Sequence, residues 1–213
     1  MPRGILIAAF DFSGAHADEF HDWYDLEHVP ERQRVPGFGA CARWIDATNP
    51  KRAVATYDLD TPEVLRSDAY RAIGNDNLSI WSKRVTAMCT RLMRFEGEQI
   101  VPGNQPAPVG AGGLLINAMN VTPEHEADFN DWYDSEHLPA LAAVPGVLAA
   151  HRYRGRHGGQ GDAPRYAALY YLANADVANG PAWKAAAASP WTDRLRPHFR
   201  DHLRILTGAY VRA

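Results

Sequence analysis

Short apolar runs divide this chain into strand-sized pieces. Ile5–Phe10 and Leu114–Met119 are largely apolar and contain β-branched or aliphatic residues, which is typical of buried strands. A helix is predicted after each run, beginning near Ala17 and near Pro123, and a Val-Pro-Gly triplet ends each helix. The other predicted strands are Gly39–Asp46, Ala53–Leu59, Ala87–Phe95, Val147–Arg154, Tyr166–Leu172 and Leu203–Val211, with a second helical region around Trp81 in the first half and around Trp191 in the second.

The chain repeats itself. Residues 20–30 read FHDWYDLEHVP and residues 129–139 read FNDWYDSEHLP, so eight of eleven positions are identical at an offset of 109. The match extends to Val-Pro-Gly at residues 35–37 and 144–146, which makes eleven identities in eighteen positions. This pattern indicates a duplicated unit of about 100 residues.

Each half has the predicted order β-α-β-β-α-β, which is that of a ferredoxin-like unit. Such a unit is an antiparallel sheet with helices on one face, so its other face has to be covered. The sequence therefore predicts an α+β fold in which two sheets pack face to face as an intrachain barrel; two independent units on a linker are the alternative. Gly97–Gly113 has linker composition, and the predicted division is residues 1–98, a linker at 99–112, and residues 113–213.

The repeated DWYDxEH motif places a carboxylate on an apolar helix face. At about 100° per residue, Glu136 lies roughly 40° from Trp132, inside a face centred near 80°, and His137 lies near 140° on its shoulder. Glu27 and His28 occupy the same angles in the first copy. A carboxylate on a buried face is costly unless it is paired.

Two interpretations of this motif stay open. Glu27 and Glu136 could accept hydrogen bonds from a Trp or an Arg and tie the helix to the sheet. Alternatively, each Glu–His set could be an acid–base pair with shifted pKa values. Asp22, Asp25, Asp131 and Asp134 are predicted to form a solvated helix face.

The second strand of each half carries a further pair of candidate residues. Period 2 sends Arg43 and Arg152 toward the helices and Trp44 and Tyr153 into the barrel, or the reverse. An Arg there could pair with Glu27 or Glu136, or anchor a substrate carboxylate. The candidate substrate contacts are Arg43, Trp44, Tyr57, Arg152, Tyr153, His151 and Tyr171 on strands, and Trp23, Tyr24, Trp132 and Tyr133 on helices.

Composition excludes several classes of protein. The chain has 213 residues, 46% of them hydrophobic, and 22 Lys and Arg against 25 Asp and Glu give a net charge of −3. That charge is a poor match for a nucleic-acid binder. No apolar run is long enough for a membrane span, and the N-terminal run is too short for a signal peptide, so we expect a cytoplasmic protein.

The sequence favours no metal or nucleotide site. His21, Asp25 and His28 have metal-ligand spacing, but Asn130 replaces His21 in the second copy. His198 and His202 share helical spacing without a third ligand and are predicted on the surface. Gly110–Gly113 is not followed by the residues of a phosphate-binding loop, and the two cysteines, Cys41 and Cys89, have no clear local base.

The string F-x-D-W-Y-D-x-E-H-x-P followed by V-P-G resembles proteins of the dimeric α+β barrel superfamily, especially EthD-like members. The likeness covers nearly the whole chain, as a fused version of a unit that is a homodimer in many members. It implies a pocket for a small-molecule substrate, with chemistry resting on His28 and His137 beside Glu27 and Glu136. Several members work without metal or organic cofactor, so no cofactor is expected here.

Three functional hypotheses follow from this resemblance. The first is a cofactor-free enzyme that moves protons on a small hydrophobic or aromatic metabolite, as an isomerase, cyclase, dehydratase or lyase. The second is a quinol-type monooxygenase or a haem-handling enzyme, for which His151 is the candidate axial ligand. The third is a non-catalytic barrel that binds a small ligand. A further homodimer of the fused chain is also expected, because aromatic residues such as Trp183 and Trp191 could leave an exposed apolar surface.

Overall fold

Eight antiparallel strands form one closed barrel in a computed structural model that describes residues 1–156 and 164–212. The strands are β1 Gly4–Asp11, β2 Phe38–Asp46, β3 Arg52–Leu59, β4 Thr90–Val101, β5 Gly113–Val121, β6 Val147–Gly155, β7 Tyr166–Leu172 and β8 Phe199–Ala209. Around the barrel they run β1-β3-β2-β8-β5-β7-β6-β4 and return to β1. The predicted closed α+β barrel is therefore confirmed. The second predicted unit, 113–213, includes residues 157–163 and 213, which lie outside the described residues.

The helices lie outside the barrel. In the first half they are α1 Ala17–Asp22, α2 Val29–Gln33, α3 Asp68–Arg71 and α4 Ile80–Ala87, and in the second α5 Glu126–Trp132, α6 Leu138–Ala142, α7 Pro181–Ala187 and α8 Pro190–Leu195. A π-helical turn joins α1 to α2 (Trp23–His28) and α5 to α6 (Tyr133–His137). Across the described parts of the chain, no helix is long and apolar enough to cross a bilayer.

Two short seams close the barrel between the halves. β2 pairs with β8 from Trp44 to Asp46, and β4 pairs with β6 from Gly97 to Val101. β4 is longer at its C-terminal end than the predicted Ala87–Phe95, because residues buried at every second position continue through Gln99. Residues 97–101, which have linker composition, are thus part of a strand. Gly97 is needed there, since a Cβ would lie 2.4 Å from the Phe95 ring.

Three apolar layers result from this arrangement. Residues of both halves, including Ile7, Phe95, Ile116 and Leu169, fill the barrel interior. Each half has a second layer between its helices and the outer face of its strands. Trp44 and Tyr153 point inward while Arg43 and Arg152 face the helices, as period 2 predicts.

Several aromatic side chains singled out in the sequence are buried in the outer layers. Tyr57, a candidate substrate contact, belongs to the layer beneath the helices of the first half and not to the barrel interior. Trp183 is buried in the corresponding layer of the second half, and Trp191 is partly buried and donates a hydrogen bond to Asp128. Neither Trp supplies the exposed apolar surface expected for a homodimer.

Replacing Trp44 should destabilise the whole barrel. Its side chain is buried in the shared interior and its Nε1–H donates to Thr56. Trp44→Ala should lower the free energy of unfolding by about 3 to 5 kcal/mol, the usual cost of such a cavity. Urea unfolding followed by fluorescence measures this change. Leu148→Ala, at an exposed β6 position, is the control and should shift stability by less than about 0.5 kcal/mol. A Trp44→Ala effect as small as the control would contradict the shared core.

Candidate functional site

The DWYDxEH motif forms a π-helical turn in both halves, not the α-helix assumed from its spacing. The backbone N–H of Val29 donates to the Tyr24 carbonyl, and that of Leu138 donates to Tyr133, so each bond spans five residues. This wider turn brings the histidine back over the tryptophan five positions earlier. The ring centroids of Trp23 and His28 are 4.4 Å apart, and those of the corresponding pair in the second half 4.2 Å. The histidines, predicted on the shoulder of the helix, therefore lie on its inner face.

The two glutamates are turned instead toward the next helix. Ser79 and Ser82 donate to the Glu27 carboxylate at 2.5 and 3.2 Å, and Ser82 in turn accepts from Trp23 Nε1 at 2.9 Å. Ser79 also caps the N-terminus of α4. This network ties the π-helical turn to α4 and supports the structural interpretation of the glutamate.

The second half repeats this tie. Ser189 donates to Glu136 and to Thr192, and the Thr192 hydroxyl accepts from Trp132 Nε1. Ser189 is the N-cap of α8. The shared Trp and Glu of the motif therefore hold the same helix–helix junction in each half.

The expected Arg–Glu pairs are not formed. Arg43 pairs with Asp25, and Arg152 donates to Asp134 at 2.6 Å. Each arginine reaches the aspartate two residues before the glutamate, because the glutamates face α4 and α8. Asp25 and Asp134 are thus ion-pair partners and not only a solvated face.

Tyr24 and Tyr133 are buried beneath these two arginines. The Arg43 guanidinium lies 4.5 Å from the Tyr24 ring centroid, and that of Arg152 lies 4.6 Å from the Tyr133 ring. Burial raises the pKa of Tyr133 to about 12. These tyrosines stack under ion pairs in both halves, and the Tyr24 ring centroid lies 5.3 Å from that of His28.

A cavity of about 370 Å³ lies in the first half between the helices and the outer face of the strands. Three predicted site residues, Trp23, His28 and Tyr57, line it. Glu27 does not belong to its lining. The other lining residues are Leu6, Ala8, Phe10, Arg32, Tyr70, Leu78, Thr86, Cys89, Arg91 and Arg94.

The cavity contains two buried polar atoms without a partner. His28 Nδ1 and the Tyr57 hydroxyl have no hydrogen-bond partner among the described residues, and their ring centroids are 6.5 Å apart. A buried polar group without a partner is costly, so such atoms call for an explanation. A bound ligand that bonds to both would supply one.

The electrostatics keep these two groups neutral. Burial, and then the positive charges of Arg32, Arg94 and Arg43, hold the pKa of His28 well below its usual range. Burial raises the pKa of Tyr57 well above its usual value. At neutral pH, His28 can therefore accept a proton while Tyr57 remains a hydrogen-bond donor.

Among the residues that line the cavity, Arg32, Tyr70, Arg91 and Arg94 were not predicted as site residues from the sequence. Arg32 follows His28 by four residues and is only 3% exposed, and Arg94 faces the helices from β4. The alternation along β4 was the available signal for Arg94, since it places a charged side chain on the helix side of a strand. Cys89 also lines the cavity, where burial raises the pKa of its thiol to about 11, so the thiol stays protonated.

The second half has different residues at positions that line the first-half cavity. Leu141 stands where the first half has Arg32, and Asn117 stands where it has Ala8. His137 stacks on Trp132, and burial lowers its pKa to about 4. A shallower groove lined by Trp183, Lys184, Arg196 and Arg204 lies in this half and does not include His137.

His151, the candidate axial ligand, lies inside the barrel among aromatic side chains. It is 1% exposed and has its Nδ1 3.3 Å from both Gln99 Nε2 and the Tyr153 hydroxyl. The Tyr171 ring lies 5.4 Å away, and Nε2 is buried without a hydrogen-bond partner among the described residues. His151 lines none of the three cavities described for residues 1–156 and 164–212.

His21, Asp25 and His28 do not converge on a metal. His21 Nδ1 lies 2.7 Å from Arg43, Asp25 pairs with the same arginine, and His28 faces the cavity. Within residues 1–156 and 164–212, no three His, Cys, Asp or Glu side chains are grouped to hold a metal ion. The other predicted surface pair is also separated, since His198 stacks on His125 while His202 is on β8.

Solved structures share this fold at low sequence identity. An anthrone oxidase-like protein is 14% identical with a TM-score of 0.66, covering 99% of this chain and 92% of its own. A candidate monooxygenase from Fusobacterium nucleatum is 9% identical with a TM-score of 0.60, covering 98% and 92%. A chlorite dismutase variant from Candidatus Nitrospira defluvii, in complex with cyanide, is 11% identical with a TM-score of 0.61, covering 98% and 91%. No family model and no curated protein matches the sequence.

Buried His137 should make the fold sensitive to acid. Burial lowers the pKa of His137 to about 4 in the folded state, whereas the ordinary pKa of a histidine in the unfolded state is about 6.5. Between these two pH values the unfolded state binds a proton at His137 and the folded state does not. As the pH falls from 6.5 toward 4, the free energy of unfolding should therefore decrease by about 1.4 kcal/mol per pH unit. Urea unfolding of wild type and His137→Gln across this range measures the difference. His16→Gln, at an exposed position, should keep the wild-type slope; an unchanged slope in His137→Gln would contradict the argument.

Proposed function

We propose that this protein is a cofactor-free enzyme that abstracts a proton from a small hydrophobic or aromatic metabolite in the first-half cavity. The observation that carries the proposal is geometric: the His28 Nδ1 and the Tyr57 hydroxyl are both buried, border the same cavity and have no hydrogen-bond partner among the described residues. Burial favours the neutral imidazole and the protonated hydroxyl. The apolar walls from Leu6, Phe10 and Leu78 suit a hydrophobic substrate body.

In the proposed step, His28 takes a proton from an acidic C–H or O–H of the substrate. The electron pair left behind moves onto a conjugated oxygen, and the Tyr57 hydroxyl donates a hydrogen bond to that developing oxyanion. Arg32 and Arg94 stabilise the same negative charge at longer range. The imidazolium then returns the proton at another substrate atom, which gives isomerisation, cyclisation or elimination according to the substrate.

A monooxygenase outcome is the second candidate, favoured by the names of the structural neighbours. The same substrate anion could pass electrons to O₂ without a resident cofactor. For anthrone, the balance is anthrone plus O₂ giving anthraquinone plus water. Haem chemistry at His151 is not proposed, because His151 lines none of the described cavities. A purely ligand-binding barrel remains the outcome if no turnover is found.

We also propose the finer architectural assignments. Residues 1–98 and 113–213 would be two ferredoxin-like, EthD-like units that arose by tandem duplication, with residues 99–112 between them. The repeated motif and the matching strand orders β4-β1-β3-β2 and β8-β5-β7-β6 support this. A homodimer of the fused chain stays a prediction, with exposed Leu26 and Ile80 as the apolar residues available.

His28→Ala should abolish turnover while His137→Ala should not. Removal of a general base costs about 10² to 10⁴ in rate, whereas His137 lines neither the first-half cavity nor the groove at Trp183. The probe is a panel of hydrophobic C–H and O–H acids, beginning with anthrone deuterated at C10. Loss of deuterium to water without O₂ reports proton abstraction, and O₂ uptake in air reports oxidation. Equal rates in the two variants, or no exchange with any member of the panel, would contradict the proposal.

The pH–rate profile should lack a falling limb near pH 6.5. A base loses activity when it is protonated, and burial and the nearby arginines hold the pKa of His28 well below its usual range. The rate should therefore stay constant as the pH falls through 6.5 and should decrease only in more acidic solution. This decrease should occur at a higher pH than acid unfolding of the protein. Circular dichroism at each pH separates the two events. A limb with an apparent pKa near 6.5 would exclude His28 in this environment as the base.

A further inference from the structure

The charged residues that line the first-half cavity are positive. Three of its lining residues are arginines, Arg32, Arg91 and Arg94, and no described lining residue is an aspartate or glutamate. Glu31 and Glu96 pair with Arg32 and Arg94 but do not line the cavity. A ligand in the cavity therefore faces the guanidinium groups of Arg32 and Arg94 without facing the carboxylates that pair with them.

Arg94 has donors left for a ligand. Both hydrogen bonds that the structure gives it, to Glu96 and at 3.4 Å to the Tyr70 hydroxyl, use Nη2. Its Nε and Nη1 have no hydrogen-bond partner among the described residues. A guanidinium presents five N–H donors in a planar fork that matches a carboxylate or another anionic oxygen.

The remaining walls are apolar and aromatic. Leu6, Ala8, Phe10 and Leu78 provide apolar surface, and Trp23 and Tyr70 provide rings. A small inorganic anion would leave this surface uncovered, and a neutral hydrocarbon would leave the arginines unused. The lining fits a molecule with a flat apolar body and one anionic end.

We propose that the cavity binds a planar organic anion, an aromatic or enolic acid whose ionised oxygen contacts Arg94 and whose ring lies between Trp23 and Tyr70. This inference rests on the proposed function, since it names the substrate class of the same site.

Binding of a matched pair of ligands tests the charge requirement. The probes are 2-naphthoate and 2-naphthamide, which share a shape and differ in charge, titrated calorimetrically into the full chain at pH 7.5. Naphthoate should bind more than about ten-fold more tightly, a preference that should shrink from 50 to 500 mM NaCl because salt screens the arginines. Equal affinities, or binding of neither probe, would overturn the proposal.

Variants then locate the anion. Arg94→Gln should bring naphthoate to the affinity of naphthamide, and Arg94→Lys, which keeps the charge, should retain part of the preference. The matched control is Arg204→Gln, because Arg204 lies opposite Asn117 on β8 as Arg94 lies opposite Ala8 on β4. It should bind like wild type. Loss of the preference in Arg204→Gln but not in the Arg94 variants would place the anion in the second half and overturn the proposal.

A third variant separates this inference from the proposed function. His28→Ala should keep the preference for naphthoate, because the anion contacts Arg94. If the preference survives while His28→Ala turns over the panel as well as wild type does, the cavity binds anions and the proposed catalytic role is wrong. If the preference is absent while turnover depends on His28, the catalytic role stands and the substrate class is wrong.

Discussion

Burial of two apolar sheet faces against each other is the constraint on which the rest of this structure depends. Each half contributes four strands whose inner faces have no helix to cover them, and closure joins them through seams at β2–β8 and β4–β6. Once the interior is filled by residues such as Ile7, Phe95 and Leu169, the helices can pack only on the outside. The first-half cavity therefore lies between helix and sheet, where short helices and a π-helical turn cover the strands.

The arginines that face the helices give that outer layer its electrostatic character. Arg43 and Arg152 are held by aspartates of the repeated motif and cover tyrosine rings, so their charge is compensated locally. Arg32 and Arg94 are also paired, yet their partners lie outside the cavity wall. The same residue type thus stabilises the helix–sheet junction in one place and sets the potential of a cavity in another. Which of these it does depends on where the carboxylate lies, and that is fixed by tertiary structure.

Much of the fold could be predicted from local patterns, and much of the candidate site could not. Period 2 placed one residue of each Arg–aromatic pair inside the barrel without saying which, and the structure shows that these are Trp44 and Tyr153. The run Tyr166–Leu172 has the predicted bounds. The helix carrying DWYDxEH was predicted with its motif but with the wrong local geometry, because a π-helical turn depends on hydrogen bonds that spacing alone does not reveal. As a result, the positions of two neighbouring residues were predicted wrongly. Glu136 was assigned to the inner face of the helix and His137 to its edge, whereas in the structure His137 lies on the inner face.

The internal repeat itself shows which residues are structural. Five residues of the motif recur in both copies: Trp, Tyr, Asp, Glu and His. In both halves the Trp and the Glu contact Ser or Thr hydroxyls at the next helix. The Tyr and the Asp contact an Arg on the second strand of the half. The halves differ where the cavity lies, with Arg32 against Leu141 and Ala8 against Asn117. A recurring histidine is thus packed on its tryptophan in both halves but borders a charged cavity in one. The identities of the repeat account for the shared scaffold, and the proposed chemistry depends on positions at which the two halves differ.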